Sequence, residues 1–154
     1  MQAEIQNPEL GFVGRVTKVN TSPIKGVLQA GLVPVIAPVA VSTTKKSNNE
    51  LQLLNVNADV AAGEIAAAMA ASRLLVLTDV EGVLDTSKRL IPRLTERQAR
   101  SLMNSGIAGG GMVPKLEACL KAVRNVGETH IIDGRRSGAL LEALEDRARG
   151  TRIG

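Results

Sequence analysis

The sequence predicts an α/β fold, a three-layer αβα sandwich with a mainly parallel sheet. Apolar runs of strand length alternate with helical patterns along the whole chain, which is typical of this fold class. The run at residues 74–77 is continuously apolar, and such runs indicate a strand covered on both faces, as in a parallel sheet between helices. No linker, repeat or low-complexity tract interrupts the 154 residues, so we predict one domain over residues 1–154.

The first half of the chain is predicted to contain three strands and two helices. The strands cover residues 12–19, 32–38 and 51–56, and the helices cover residues 22–30 and 58–72. The first helix has Ser22 as its N-cap and Pro23 at its first position, and it stops at Gly31. The second helix is rich in alanine, which favours helix and allows a sheet to approach closely. Residues 41–50 are polar and predict an exposed turn or a hairpin tip.

The second half is predicted to contain two further strands and three helices. The strands cover residues 74–77 and 129–132, and the helices cover residues 95–105, 113–126 and 137–147. Thr95 opens the first of these helices and Gly106 ends it, and Pro114 lies near the start of the second. Because ligands bind at the carboxyl ends of strands in such sheets, functional residues are expected at the junctions between strands and helices.

The composition excludes several classes of function. Apolar residues make up 44% of the chain, which is enough for a core and excludes intrinsic disorder. Phe12 is the only aromatic residue, so a site that stacks nucleic-acid bases on aromatic rings is not expected. The net charge is +4, but acidic residues are interspersed among the basic ones. This balance suits anionic small molecules and not nucleic acid.

The single cysteine and the apolar runs bear on the cellular setting. Cys119 lies in an apolar helical run and is expected to be a buried, unreactive thiol. His130, at the start of a strand, is expected to be structural. The first ten residues do not resemble a signal peptide, and polar residues interrupt every apolar run before it reaches the length of a membrane span. We therefore predict a soluble, cytoplasmic protein with no membrane partner.

The first junction with candidate functional residues follows the strand at residues 51–56. Asn55, Asn57 and Asp59 alternate with apolar residues where this strand runs into the alanine-rich helix. The alternation puts Asn55 and Asn57 on one side of the chain, where they could bind a ligand together. The alternative is that Asn57 or Asp59 only caps the helix.

The second junction follows the buried strand at residues 74–77. The polar pair Thr78 and Asp79 comes directly after the strand, and Gly82 then allows a tight turn. These residues fit the edge of a ligand site at the carboxyl end of the strand. The alternative is an ordinary turn.

The third junction combines glycines with a lysine at the start of a helix. Gly109, Gly110 and Gly111 precede the helix, and Lys115 lies in its first turn. Glycines let backbone N–H groups approach phosphate oxygens, and the N-terminal end of a helix favours anions. A lysine is unfavourable at that end, so a bound anion is expected to compensate for it. The Gly-Lys-Ser/Thr spacing of a Walker A motif is absent.

Together these junctions resemble the amino acid kinase family, and within it the acetylglutamate kinases. The matching stretches are Gly11-Phe12-Val13-Gly14, Val33-Pro34-Val35-Ile36-Ala37-Pro38, Asn55-Val56-Asn57-Ala58-Asp59, Leu77-Thr78-Asp79-Val80-Glu81-Gly82-Val83-Leu84-Asp85, Gly110-Gly111-Met112-Val113-Pro114-Lys115, His130-Ile131-Ile132-Asp133-Gly134-Arg135 and Gly150-Thr151-Arg152-Ile153. The resemblance spans about residues 10–153 and corresponds to the C-terminal, nucleotide-binding half of the family.

The resemblance implies phosphorylation of the side-chain carboxylate of N-acetyl-L-glutamate by ATP, a step in arginine biosynthesis. By position, Lys115 would neutralise charge on the transferring phosphoryl group and Asp59 would orient the catalytic lysines. Asn55 and Asn57 would hold the acetylglutamate. The ATP site would be lined by Thr78, Asp79, Gly82, Gly109, Gly110, Gly111 and Met112. Mg²⁺ would be held mainly by the nucleotide phosphates, with no metal ligand from the protein.

The resemblance also carries expectations about completeness and partners. The family's N-terminal half, which carries a Lys-x-Gly-Gly segment, is expected to be missing, so the chain alone would be an incomplete kinase. A sheet cut in this way exposes an edge and an apolar face, so we expect a homo-oligomer or association with that missing half. The alternative function is a non-catalytic nucleotide-binding or regulatory paralogue of the same family.

Overall fold

The structure of the protein is a computed structural model that describes residues 1–44 and 51–154. The described strands are β1 (Gln2–Ile5), β2 (Gly14–Lys18), β3 (Val39–Ser42), β4 (Leu53–Asn55), β5 (Arg73–Thr78), β6 (Arg93–Leu94), β7 (Glu128–Asp133) and β8 (Gly150–Ile153). The described helices are α1 (Ser22–Gln29), α2 (Ala58–Met69), α3 (Glu96–Asn104), α4 (Met112–Ala122) and α5 (Ala139–Leu144). The predicted α/β class is confirmed.

The described strands form two mixed sheets, with the orders β2-β1-β3-β4 and β5-β7-β8-β6. β5 and β7 are parallel along their whole length, and Thr78 pairs with Asp133 at their carboxyl ends. β1 with β3 and β6 with β8 are also parallel, but the other three neighbouring pairs are antiparallel. Parallel pairing therefore does not predominate over the whole fold. The reason is that short connections return the chain beside itself between β1 and β2 and between β3 and β4.

Helices cover both faces of the second sheet. Ile131 of β7 belongs to the core that includes Leu116 of α4. Its neighbour Ile132 points to the other face and packs with Ala139 and Ala143 of α5. This sheet is therefore the middle layer of three, as the sequence predicts.

Residues 32–38 form no strand, so the prediction of a strand there is wrong. Pro34 and Pro38 have no backbone N–H to donate to a ladder, and no described strand lies beside the segment as a partner. Val33 and Val35 are consequently 86% and 96% exposed. The segment is as apolar as a strand in the interior of a sheet, but the described residues leave Val33 and Val35 uncovered.

Four strands were not predicted, namely β1, β3, β6 and β8; β3 lies where the sequence analysis places the end of a strand at residue 38 and a turn from residue 41. β1 has only one buried residue, Ala3, and β6 has only two residues, so neither shows a recognisable apolar pattern. β8 contains a glycine, a threonine and an arginine, although the threonine is buried. Such strands are defined by their neighbours in the sheet and not by their own periodicity.

The helix starts are close to the predicted ones. Thr95 caps α3 and forms a capping box with Gln98, as its position suggests. α1 begins at Ser22 with Thr21 as its N-cap, one residue earlier than predicted, and Asn20 Oδ1 accepts a hydrogen bond from the Ser22 N–H (3.1 Å). β3 and β4 pair antiparallel, and β3 includes the first two residues of the tip predicted at residues 41–50, of which residues 45–50 lie outside the described residues.

The core contains the cysteine and the histidine, as predicted. Cys119 is fully buried, and this burial raises the pKa of its thiol to about 12. His130 is 2% exposed, and its burial, together with the nearby charge of Arg152, lowers the pKa of the imidazole. None of the helices in the described part of the chain is long and apolar enough to cross a membrane.

α2 and α4 approach each other closely at Gly63 and Ala118. A Cβ atom on Gly63 would lie 2.7 Å from the Ala118 carbonyl oxygen and 2.8 Å from its Cα. Only glycine fits at this distance without a shift of one backbone. The contact lies one helical turn beyond Asp59 of α2 and Lys115 of α4, so it sets how close the first turns of the two helices come.

We expect Gly63→Ala to destabilise the fold by about 1–3 kcal/mol, because the new methyl group overpacks the helix contact. Gly26→Ala is the matched control, since Gly26 lies inside α1 and a Cβ there would meet nothing within 4 Å. This control is expected to stabilise the protein by about 0.5–1 kcal/mol, because alanine is the better helix former. Urea unfolding followed by circular dichroism measures both changes. Equal stability of the two variants would contradict the described contact.

Candidate functional site

A cleft of about 670 Å³ lies between the loop that follows β5 and the loop that precedes α4. Two of the three predicted junctions therefore meet in one place. The predicted residues that line the cleft are Thr78, Asp79, Gly82, Gly109, Gly111, Met112 and Lys115. Apolar residues that the sequence analysis did not single out complete the lining, namely Leu77, Val80, Val83, Leu84, Ile107 and Ala108.

Asp59 connects the first junction to this cleft through Lys115. The Lys115 Nζ donates a hydrogen bond to Asp59 Oδ2 over 2.9 Å, and the two side chains are only 18% and 23% exposed. Both residues lie in the first turn of their helices or just after it, where the helix dipole favours Asp59 and opposes Lys115. The sequence predicts a bound anion as compensation for Lys115. In the structure, the Asp59 carboxylate provides part of this compensating negative charge.

The two asparagines of the first junction do not line the cleft. Asn57 is the N-cap of α2, and its Oδ1 accepts a hydrogen bond from the Val60 N–H over 3.1 Å. The capping alternative therefore applies to Asn57 and not to Asp59. Asn55 is the last residue of β4 and is exposed, and its N–H donates to the carbonyl of Phe12. The Asn57 amide NH₂ keeps its donors for other partners.

The glycine loop before α4 borders open space. Gly111 is the N-cap of α4, and no side chain caps the helix there. Gly110 has φ +54°, a left-handed conformation that glycine adopts without strain. A Cβ on Gly110 or Gly111 would meet nothing within 4 Å, so internal packing does not require these glycines. The Met112 and Val113 N–H groups donate to the carbonyls of Gly109 and Gly110, over 3.2 and 3.4 Å, so the backbone that a ligand could approach here is that of the glycine loop itself.

The loop after β5 is packed tightly from behind. Gly82 has φ +149°, and a Cβ there would lie 2.7 Å from the Thr151 hydroxyl. Gly82 is therefore required by the backbone conformation and by the close approach of β8. At the start of the loop, the Thr78 hydroxyl donates to Asp79 Oδ1 over 3.3 Å.

A charged pair follows β7, next to the end of β5. Arg135 donates to both carboxylate oxygens of Asp133, over 2.9 and 2.8 Å. These hydrogen bonds hold the pKa of the Asp133 carboxyl at about 2, below its ordinary 3.8. The Gly134 N–H donates to the Thr78 carbonyl over 2.8 Å and fastens the two strand ends together. Asp133 was not predicted as a site residue, although a polar residue at the end of a buried strand is the same signal that marked Thr78 and Asp79.

No three His, Cys, Asp or Glu side chains within residues 1–44 and 51–154 are grouped closely enough to hold a metal ion. The charged groups around the cleft are consequently Lys115, Asp59 and Asp79. Lys115 is the cation of this group, and the Asp59 carboxylate neutralises part of its charge. Most of the other side chains that line the cleft are apolar.

Residues 2–133 match the sequence model of the Amino acid kinase family. The chain belongs to the amino acid kinase family. Among its relatives in this family, the acetylglutamate kinase of Caldanaerobacter subterraneus subsp. tengcongensis is 45% identical over 158 residues, which cover 99% of this chain and 51% of that kinase. The chain thus spans about half the length of the curated relatives it matches.

Solved structures of other proteins share the fold. smu.665 from Streptococcus mutans UA159 is 28% identical with a TM-score of 0.80, over 99% of this chain and 55% of that one. Carbamate kinase from Giardia lamblia bound to AMP-PNP is 20% identical with a TM-score of 0.69, over 92% of this chain and 46% of that one. At this identity the carbamate kinase is evidence for the amino acid kinase fold alone.

A double-mutant cycle with Asp59→Asn and Lys115→Met is expected to give a coupling energy of about 1–2 kcal/mol in urea unfolding, because the pair is mostly shielded from water. Glu64 and Lys121 provide a matched control, since they join the same two helices over 3.1 Å but the Lys121 side chain is 56% exposed. Their cycle is expected to give less than about 0.5 kcal/mol. Equal coupling in the two cycles would contradict a special role of burial at Asp59 and Lys115.

Proposed function

We propose that this chain provides the nucleotide-binding half of an ATP-dependent kinase that phosphorylates the side-chain carboxylate of N-acetyl-L-glutamate, a step in arginine biosynthesis. The observation that carries the proposal is the shielded Lys115 ammonium beside a glycine loop and a helix start. The 45% identity to an acetylglutamate kinase supports the choice of substrate.

The lining of the cleft suits both the adenine ring and the phosphates of ATP. The apolar side chains of Leu77, Val80 and Leu84 offer a dry surface for the adenine ring, without an aromatic partner. The phosphates would extend towards Gly109, Gly111 and Lys115, where backbone N–H groups and a positive charge favour anions.

The chemistry requires alignment and neutralisation of charge. A carboxylate oxygen of acetylglutamate attacks the γ-phosphorus, the bond from that phosphorus to the β-phosphate oxygen breaks, and ADP leaves as an acyl phosphate forms. The attacking carboxylate is already ionised at pH 7, so no general base is needed. Lys115 would neutralise charge on the phosphoryl group, and Asp59 would hold its ammonium in place. Mg²⁺ would arrive with the nucleotide, bound to its phosphates.

Asn55 and Asn57 are proposed to hold the acetylglutamate. Both are exposed, and the cap formed by Asn57 uses only its Oδ1. Their amide NH₂ groups can therefore donate hydrogen bonds to a carboxylate or an acetyl carbonyl.

The exposed segment at residues 32–38 is proposed to bind further polypeptide. Val33 and Val35 are almost fully exposed, and an apolar groove of about 430 Å³ runs between this segment, α1 and α2. Large exposed apolar surfaces of this kind are typical of interfaces. We propose that the portion of the kinase relatives which this chain does not match packs here and completes the site for phosphoryl transfer.

The test mixes this chain with a polypeptide made of the unmatched half of the Caldanaerobacter kinase and measures ADP release with and without N-acetyl-L-glutamate. We expect release that depends on acetylglutamate and that Lys115→Ala lowers by about a hundredfold or more, as for other groups that stabilise transition-state charge. Lys121→Ala is the control, because Lys121 lies on the same helix but pairs with Glu64 outside the cleft.

Two results would contradict the proposal. Turnover that Lys115→Ala leaves unchanged would remove the role of Lys115 in phosphoryl transfer. Binding of the complementary half and of MgATP without any turnover would favour the non-catalytic nucleotide-binding alternative. Association of the chain only with itself would contradict the partner proposed for residues 32–38.

A further inference from the structure

The last strand places a buried hydroxyl directly behind the cleft. Thr151 of β8 is fully buried. Its Oγ1 accepts a hydrogen bond from the Val83 N–H over 2.8 Å and donates one to the Ile91 carbonyl over 2.7 Å. One side chain from the end of the chain therefore satisfies two backbone groups of a distant loop.

The hydroxyl completes a ladder between two segments of that loop. Leu84 and Leu90 form an antiparallel bridge, and the Ile91 N–H donates directly to the Val83 carbonyl over 2.8 Å. In an antiparallel pair of this kind, the Val83 N–H would be expected to donate directly to Ile91 in return. Here the Thr151 hydroxyl lies between the two groups, accepts from the Val83 N–H and donates to the Ile91 carbonyl.

The two hydrogen bonds of Thr151 determine the position of the loop that lines one side of the cleft. Gly82 and Val83 line the cleft on one side and contact Thr151 on the other. Gly82 has no side chain that could keep β8 at a distance, and its φ of +149° belongs to a conformation that other residues rarely adopt. The position of Gly82 and Val83 therefore depends on the Thr151 hydroxyl, because the Val83 N–H donates its hydrogen bond to this group.

We propose that Thr151 is a positioning residue of the nucleotide cleft, whose hydroxyl holds residues 79–83 in place on the side of the cleft opposite the glycine loop. The inference rests on the proposed nucleotide-binding function, and it assigns a role in that site to the last strand. Removal of the hydroxyl leaves a buried N–H and a buried carbonyl without partners, and the loop must move to hydrate them.

The test compares Thr151→Val with Thr151→Ser and with Thr129→Val. Thr129 is also fully buried in the same sheet, and its hydroxyl donates to the Ile153 carbonyl over 2.8 Å. It lies at the start of β7, whereas the cleft lies at the carboxyl end of the parallel strand β5. Thr129→Val thus removes an equivalent hydrogen bond at the far end of the sheet.

Two readouts are used, hydrogen exchange of the Val83 amide and MgATP affinity, both by NMR on the full chain. We expect Thr151→Val to speed exchange at Val83 and to weaken MgATP binding, each by about five- to tenfold, because the Val83 N–H loses its acceptor and the Ile91 carbonyl loses its donor. Thr151→Ser keeps the hydroxyl and is expected to preserve both within about twofold. Thr129→Val is expected to change neither. If Thr151→Val does not fold, Thr151→Cys provides a weaker hydrogen-bonding group of similar size.

The outcomes separate this inference from the proposed function. Equal MgATP affinity of Thr151→Val and Thr129→Val would overturn the positioning role. If the unmodified chain shows no saturable MgATP binding, the proposed function fails, and exchange at Val83 decides whether the hydroxyl holds the loop. If exchange at Val83 is unchanged in Thr151→Val, the hydroxyl does not hold the loop and the inference about Thr151 is overturned as well.

Discussion

The contact between α2 and α4 at Gly63 and Ala118 is the constraint on which the candidate site depends. It brings the two backbones so close that a single methyl group would not fit. One turn earlier, the same approach lets Asp59 reach the Lys115 ammonium. A cation at the start of a helix is unfavourable, and the carboxylate from the neighbouring helix makes that position tolerable. The charge is thereby held where the glycine loop and the end of β5 meet.

The rest of the site is assembled from the carboxyl ends of strands. β5 and β7 are held in register up to Thr78 and Asp133, and the turn after β7 is fastened to the end of β5. β8 then supports the following loop from behind through Thr151. The near absence of aromatic residues agrees with this design, because charge, backbone N–H groups and aliphatic side chains suffice to bind a nucleotide. The strands thus support the site from behind, and the two loops line the cleft.

Much of the fold could be predicted from the sequence because its helices and buried strands carry strong local signals. The apolar run before Thr78 and the glycines before Lys115 also pointed to the two sides of the cleft. The contact between Lys115 and Asp59 could not be derived from the sequence spacing, since it depends on how α2 and α4 pack. Residues 32–38 show the converse error, because an apolar run predicts a strand even where no described partner pairs with it. Thr151 was missed as a supporting residue because a buried hydroxyl has no signature in sequence.

An NMR titration of the isotopically labelled chain with MgATP tests the central claim most directly, namely that the loop after β5, the glycine loop before α4 and Lys115 form one nucleotide site. We predict saturable shifts confined to residues 77–84 and 107–115 and to the Lys115 ammonium, with a Kd on the order of 0.1–1 mM, because the cleft is open to solvent. Lys115→Ala should weaken this binding by about tenfold or more, as expected for loss of a charge-assisted contact. Shifts spread over other surfaces, or none at millimolar MgATP, would contradict the account.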